Sequence, residues 1–449
     1  MIATRDMTKG NIPRLMIRFS IPILLGSTID ILYTMGDSMV LGRIAGLGAF
    51  AAVGATGFYL WLIICLSAGF TSGFDGVFGR KFGAGDKDGL NRAIATAIVL
   101  SAATGLALTA AGILLAPHAL RQMHTPPELI ADALLYARIR LFALPVAAVG
   151  RTLCAAFYAL GNSRLPFVAG LISMAINLVL DITLLLFTPL GVAAVAIGTV
   201  AGQVFSCIYV ALSMRRLGAV DLSRAHWRAD ARTIKELIKV GAPLSVRDFP
   251  SAIVALLIQS KVNALGMAYV AGVAAAKGLY SVVFALGDAF SGSVAPFISQ
   301  NHGAQRFDRI SRGMRAAHAI LLVCVGATIA VVLPLMPQFL SLFIEADDPS
   351  APRAIAAGVR QLRLILYFLP FHYISTLYRC ALRGLGDGLM PMLSGFAEAG
   401  ARVACLAFMP ALIGGETAAY LAEVIGWPCM VLLLVFAYRA VYRRARRAA

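Results

Sequence analysis

The sequence predicts an all-α polytopic membrane protein, with about twelve transmembrane helices in two repeat-related six-helix lobes. Three observations predict it. Of 449 residues, 59% are hydrophobic and only 14% charged, too little charge to cover a soluble surface, and the mean hydropathy is +0.82. Apolar runs of about 20 residues recur from end to end, each long enough for a hydrocarbon core of roughly 30 Å. Stretches of the first half also return in the second at nearly constant spacing. The runs are continuous and do not alternate in ten-residue segments, so helices fit and a closed barrel does not.

In order, the spans fall near 15–41, 49–76, 92–115, 129–159, 165–187, 190–212, 237–264, 269–298, 315–337, 358–382, 390–413 and 417–440. The start, "MIATRDMTKGNIPRLMIRFSIPILL", has no signal-peptide exit and reads as a tail entering the first span. The connections "GRKFGAGDKDGLNR" (79–92), 214–239 and "NHGAQRFDRISRGMR" (301–315), and the tail "YRRARRAA" (442–449), all fall on one side. The opposite loops are short or acidic, such as "FTPLG" (187–191) and "EADDPSAPR" (345–353). Lys and Arg mark the first side as cytoplasmic, with both termini there.

The repeat is clearest between "LFALPVAAVGRTLCAAFYALGNSRLP" (141–166) and "LYFLPFHYISTLYRCALRGLGDGLMP" (366–391). Pro145 meets Pro370, Gly161 meets Gly386 and Pro166 meets Pro391, each 225 residues on. "FGAGD" (82–86) likewise matches "HGAQR" (302–306), and "FSIP" (19–22) matches "VGAP" (240–243). Two halves of six spans share one orientation, which implies a pseudo-twofold along the membrane normal. The expected division is an amino-terminal lobe at 1–212, a basic linker at 213–236 and a carboxy-terminal lobe at 237–449.

Several function classes are excluded or disfavoured. The net charge of +17 is the mark of positive-inside loops, not of nucleic-acid binding. Seven cysteines are scattered singly through apolar spans, without metal spacing or a disulfide framework. There is no GxxxxGK[ST], HExxH or GxSxG, so no enzyme is expected and no cofactor. Uphill movement would have to draw on an ion gradient.

Such a carrier needs ionisable or oxygen-bearing groups deep in the bilayer, where each one costs energy and is a site candidate by default. In the first half these are Asp30, Asp37, Asp75, Asn177 and Asp181. Asp30 and Asp37 are seven apart, and Asn177 and Asp181 four apart, so each pair shares a helix face. Asp37, Asp181 and the Asn177 amide oxygen can hold a proton or form an oxygen nest for Na+. The alternative is that Asp181 merely locks two helices through Asn177. In the second half Arg402 stands opposite Asn177 and Leu406 opposite Asp181. There Glu398 and Arg402, four apart, can neutralise each other, and Glu423 stands opposite Thr199. Lys261 and Asp248 flank the seventh span, and His372 lies in the tenth, where a helix contact is its expected role.

"GNIPRLMIRFSIPILLGSTIDILYTMGDSMVLGRIAGLGAFAAVG", "FGRKFGAGDKDGLNRA", "YALGNSRLPF", "INLVLDITLLL" and "GVAAVAIGTVAGQ", then "ISQNHGAQ", "LRGLGDGLMP" and "AEAGAR", follow one another in the order of a known family. The chain resembles the multidrug and toxic compound extrusion (MATE) transporters over nearly its whole length, and looks closest to the bacterial branch of DinF-like and MepA-like pumps. The resemblance implies two six-helix lobes in a V, and export of organic, often cationic, compounds in exchange for H+ or Na+. It places the family's first-half ion site on Asp37, Asn177, Asp181 and Thr199. Asp30 departs from it, standing where a neutral polar residue is usual, and so does Arg80, which stands where "SQ" often precedes the turn. Asp30, Glu398, Arg402 and Glu423 are further candidates, and Tyr33, Met35 and Met174 are candidate cargo contacts.

The expectation is a secondary antiporter of the bacterial plasma membrane, working as a monomer among membrane lipids on small organic cations. The rival is a flippase for lipid-linked saccharides. It would want Arg402, Lys261 and Arg151 as partners for pyrophosphate.

Overall fold

Every regular element is a helix in the computed structural model, which describes residues 4–218, 220–227, 230–344 and 349–448; within them the side chains of Leu32, Met35, Gly36, Ser38, Met39 and Arg224 are not described. Met35 as a cargo contact and the acidic stretch 345–348 therefore lie outside the described residues.

The first half runs α1 (Ile12–Val40), a π-helical turn (Leu41–Ala45), α2 (Gly46–Ser72), α3 (Phe74–Gly83), α4 (Lys87–Gln122), α5 (Pro127–Phe142), α6 (Leu144–Ala159), α7 (Arg164–Phe187) and α8 (Val192–Arg216). A 3-10 turn (Arg224–Trp227) leads to α9 (Ala231–Ser245) and α10 (Phe249–Asn263). The second half continues with α11 (Met267–Gly292), α12 (Val294–Gly303), α13 (Phe307–Ser341), α14 (Ala351–Leu385), α15 (Leu389–Phe408), α16 (Pro410–Ile413), α17 (Gly415–Val424) and α18 (Gly426–Arg447).

By length and composition ten described helices can cross a membrane. An eleventh is added if α5 and α6, bent by 41° at their junction, count as one span. The expected eleventh span, near 390–413, is the exception. Its helix α15 is 20 residues long, enough to cross at about 1.5 Å per residue, but Glu398 and Arg402 sit in its apolar run. The chain is a multi-pass membrane protein.

The repeat recurs element by element. α2, α3 and α4 are followed 220 or so residues later by α11, α12 and α13, and α7 by α15. The aligned glycines share a backbone role: Gly161 ends α6 at φ 78° and Gly386 ends α14 at φ 90°, the left-handed region that glycine enters without a Cβ penalty. Their N–H groups donate to Tyr158 O and Arg383 O, both at 2.9 Å. The aligned prolines differ in outcome. Pro145 sits in the first turn of α6, where its missing N–H costs nothing. Pro370 lies inside the continuous helix α14.

Contacts divide the chain into two units. Unit 1 holds Met1–Lys9, Leu25–Ser245 and Ser299–Ala304; unit 2 holds Gly10–Leu24, Val246–Ile298 and Gln305–Ala449. The division thus runs through α1 and α12 and between α9 and α10. In unit 1, Phe70, Phe74, Phe78, Phe157 and Leu160 form a core that also takes Leu237, Val240 and Leu244 of α9. The linker is pinned to the same unit: Asp221 N donates to Asn91 Oδ1 at 3.1 Å, and Arg80 pairs with Glu236 at 2.7 Å. Asp230 caps α9 by accepting from the Thr233 backbone and hydroxyl. Backbone N–H bonds, that of Arg232 foremost, hold this carboxyl below its usual range.

Within unit 1, α3 and the last turn of α12 touch through repeat-equivalent small residues. A Cβ on Gly79 would overlap Ser299, one on Gly83 the Gln300 carbonyl, and one on Gly303 the Arg80 carbonyl. Alanine usually stabilises a helix interior over glycine by up to about 1 kcal/mol. Here backbone blocks it, and overpacking costs about 1–3 kcal/mol. Gly303→Ala should therefore lower the thermal midpoint in detergent, whereas Gly326→Ala, with nothing within 4 Å of its Cβ, should leave it level or raise it. A Gly303→Ala protein as stable as the wild type would contradict this packing.

Candidate functional site

Inside unit 1, α7 lies against a small-residue face of α8. Gly198 and Gly202, one turn apart, leave room for α7: a Cβ on Gly202 would overlap the Ser173 carbonyl, and one on Gly198 would overlap Asp181 Oδ1. Glycine at these positions lets two polar side chains sink into the seam. Asp181 is 0% and Asn177 2% exposed. Asn177 Nδ2 donates to Asp181 Oδ2 at 3.1 Å and to Thr199 Oγ1 at 3.3 Å, while the Thr199 hydroxyl donates to Val195 O at 2.9 Å. The Asp37 carboxyl, arriving from α1, is at hydrogen-bonding range of Asp181. The structure thus brings Asp37, Asn177, Asp181 and Thr199 together.

The donor count is short. Asn177 Oδ1 and Asp181 Oδ1 are buried and accept no hydrogen bond among the described residues, although a buried acceptor left alone costs about 1–3 kcal/mol. Two ionised carboxylates cannot bond each other, and side by side they repel. A proton shared by the pair, or a Na+ among their oxygens, removes both penalties. These oxygens are the hard donors that suit such cations.

Tyr33 of α1 and Tyr136 of α5 are within electrostatic range of Asp37 and Asp181, and Arg140 of α5 is within range of Asp181. Sequence reading passed over Tyr136 and Arg140, although an arginine inside a predicted span was a usable signal. Arg140 Nε and Nη1 are buried without a hydrogen bond among the described residues.

Two first-half candidates stay outside the group. Asp30 is exposed and lies roughly 10 Å along α1 from Asp37, seven residues at 1.5 Å each. Its carbonyl accepts the Thr34 hydroxyl at 2.8 Å. Asp75 is buried in the first turn of α3, near Tyr158. Arg151 donates to Ser67 Oγ at 3.1 Å, and Met174 is half-buried on α7.

Unit 2 holds a second buried polar group of different chemistry. Arg402 pairs with Glu398 at 2.6 Å, one helical turn apart, and Arg379 of α14 reaches the other Glu398 oxygen at 3.4 Å and Ser394 Oγ at 2.9 Å. The expected pair is therefore a triad. Arg379 was missed because its repeat partner is the apolar Cys154, though an arginine within a span again gave the signal. Gly426 makes room for Glu398, whose Cγ would meet a Cβ there. Glu423 accepts the Tyr280 hydroxyl at 3.2 Å. Arg247 and Asp248 form their own bidentate pair at 2.8 and 2.6 Å, and Lys261 is exposed. His372 is stacked on Phe284 at 4.2 Å and stands 3.9 Å from Asp288. Neither of its ring nitrogens makes a hydrogen bond among the described residues, so it is not the satisfied helix contact expected.

A repeated set of spanning helices with a buried oxygen cluster in one half and a buried ion network in the other is the arrangement of a membrane transport protein. The chain belongs to the MatE family, which it matches over residues 22–183 and 243–406, one stretch in each half. It is similar to the probable multidrug resistance protein YoeA of Bacillus subtilis (strain 168), 24% identical over 90% of this chain and 88% of the relative. It is also similar to the multidrug resistance protein PmpM of Pseudomonas aeruginosa, 26% identical over 83% and 78%. Its fold matches an outward-facing conformation of a multidrug resistance MATE family transporter of the MOP superfamily, with a TM-score of 0.89 at 19% identity, over 99% of this chain and 100% of that one.

Gly198→Ala should push Asp181 out of the seam and lower the thermal midpoint in detergent, by a free energy of about 1–3 kcal/mol. Gly170→Ala on α7, where a Cβ meets nothing within 4 Å, should not. Equal midpoints for the two variants would show that the glycine does not seat the carboxylate.

Proposed function

We propose that the chain is a secondary antiporter that exports small organic, often cationic, compounds in exchange for H+ or Na+. The reading rests on one observation: a fully buried acid, Asp181, stands beside a half-buried one, Asp37, with neighbouring acceptor oxygens that no described donor satisfies. Such a pair binds a cation strongly when sealed from water and releases it when water enters. A site like this converts an ion gradient into a shift between two conformations, because an ion drives a change only through its different affinities for the two states. Asn177 and Thr199 fix the geometry, and Arg140 offsets part of the negative charge. The names of the relatives YoeA and PmpM support multidrug export. The distribution of Lys and Arg supports both termini in the cytoplasm, the bacterial source of the relatives YoeA and PmpM supports a bacterial plasma membrane, and one chain already carries both halves of the repeat.

The flippase reading finds less support. Of the three cations it would use, Arg402 is tied to Glu398 and Arg151 to Ser67, while Lys261 is exposed.

The test is uptake of a fluorescent organic cation by proteoliposomes under an imposed pH or Na+ gradient. Wild-type protein should respond to one of the gradients, and Asp37→Asn and Asp181→Asn should each reduce gradient-driven uptake by at least about tenfold, a loss of about 1.4 kcal/mol in coupling. Uptake at the wild-type rate in either variant would remove that residue from the ion site.

A further inference from the structure

The tail before α1 is held by two helix ends that come from different halves of the repeat. The Arg5 N–H donates to Leu160 O, at the end of α6, at 2.8 Å. Gly161, which closes α6 in the left-handed region, also admits the tail, because a Cβ there would overlap the Arg5 carbonyl. From the second half comes Gln300, in the last turn of α12 and 0% exposed. Its Oε1 accepts the Met7 N–H at 2.7 Å, and its Nε2 donates to Arg5 O at 3.3 Å and to Ala159 O at 2.8 Å. Both amide hydrogens and the amide oxygen are thereby used. Asn301, next to it, donates to Met7 O at 3.2 Å, and Met7 is 1% exposed.

The equivalent positions of the first half do a similar job with different chemistry. Arg80 and Lys81 of α3 stand 220 residues before Gln300 and Asn301. Both meet Glu236 of α9, at 2.7 and 3.9 Å. So a helix end of the second half holds the segment that leads into the first span, and a helix end of the first half holds the segment that leads into the seventh.

All of these contacts lie in unit 1, yet two of the pieces soon leave it. The tail passes into unit 2 after Lys9, and α12 enters from unit 2 at Ser299. A rearrangement of unit 2 is therefore transmitted to this junction through the chain itself. Backbone bonding and a glycine cradle tie the tail to α6, whereas neutral side-chain amides tie it to α12. Parting at those amides strands no buried charge, and each bond contributes little net free energy. The junction also adjoins the Lys- and Arg-rich connections 79–92 and 301–315. We infer that residues 5–8 are a latch on that side of the protein, closed by Gln300 and Asn301 and released from α12 in each transport cycle. The inference rests on the antiporter reading, in which the halves of the repeat part on one side at a time.

The test places a cysteine at Met7 in the full chain, reconstituted in proteoliposomes, and follows its alkylation by a maleimide with peptide mass spectrometry. Native Cys380 and Cys405, both buried, are the internal standards. Met7→Cys should react at least about tenfold faster than either, because an opening latch exposes it while the spans stay packed. Gln300→Ala should quicken that reaction about fivefold or more, the effect of one lost hydrogen bond. Should Gln300→Ala fail to fold, Asn301→Ala carries the comparison. Met7→Cys with Asn301→Cys, joined by a short thiol-cleavable linker, should lower gradient-driven uptake at least about tenfold and recover it on reduction, since a step that must open is then blocked. Alkylation no faster than at Cys380 and Cys405, or full uptake with the linker in place, would overturn the latch. A wild-type chain without gradient-driven uptake would instead count against the antiporter reading, and the alkylation rates would still decide the latch.

Discussion

Close packing of α7 on the glycine face of α8 is the contact from which the chemistry of unit 1 follows. Gly198 leaves the space that Asp181 occupies, and Gly202 lets the Ser173 backbone approach. Small residues matter more in a bilayer than in water, because lipid is as apolar as leucine and helices associate through close backbone approach. The same approach removes water from Asp181 and Asn177. Burial then makes any unmatched oxygen costly. A seam wide enough to admit side chains at 198 and 202 would leave the Asp181 carboxylate wet.

The two halves repeat their helices but not their polar chemistry. At positions equivalent to Asn177 and Asp181 the second half has Arg402 and Leu406. Its buried group is an arginine–glutamate–arginine triad in which the positive charges outnumber the glutamate that joins them. Unit 1 therefore keeps acceptors in excess, and unit 2 keeps this network largely bonded within itself. Buried ion pairs often give little net stability, because desolvation offsets attraction. The triad's better-supported role is to fix how α14 meets α15. Glycine recurs in this arrangement too: Gly426 admits Glu398 as Gly198 admits Asp181.

Much of the architecture was legible in the sequence. Hydropathy gave the spans because a helix is the only open-ended segment that satisfies its backbone in lipid. The constant 225-residue spacing gave the repeat, and Gly161 and Gly386 proved to share a left-handed backbone. The span near 390–413 was less legible to an apolar test, because its helix carries the Glu398–Arg402 pair. Asn177 and Asp181 were readable as neighbours from their spacing along one helix. Arg140 and Arg379 lie in apolar runs with no acidic neighbour in the sequence to mark a partner.

By itself the sequence determined which segments are helices, that the chain crosses the membrane many times, and which polar residues lie at depth, since these follow from local composition and from the cost of an unbonded backbone in lipid. Tertiary packing alone decided that Asp37 meets Asp181 from another helix, that Asp30 does not join them, and that Arg379 completes the Glu398 pair. Those outcomes depend on how helices rotate and approach, and that is set by distant small residues whose role appears only when two surfaces are brought together.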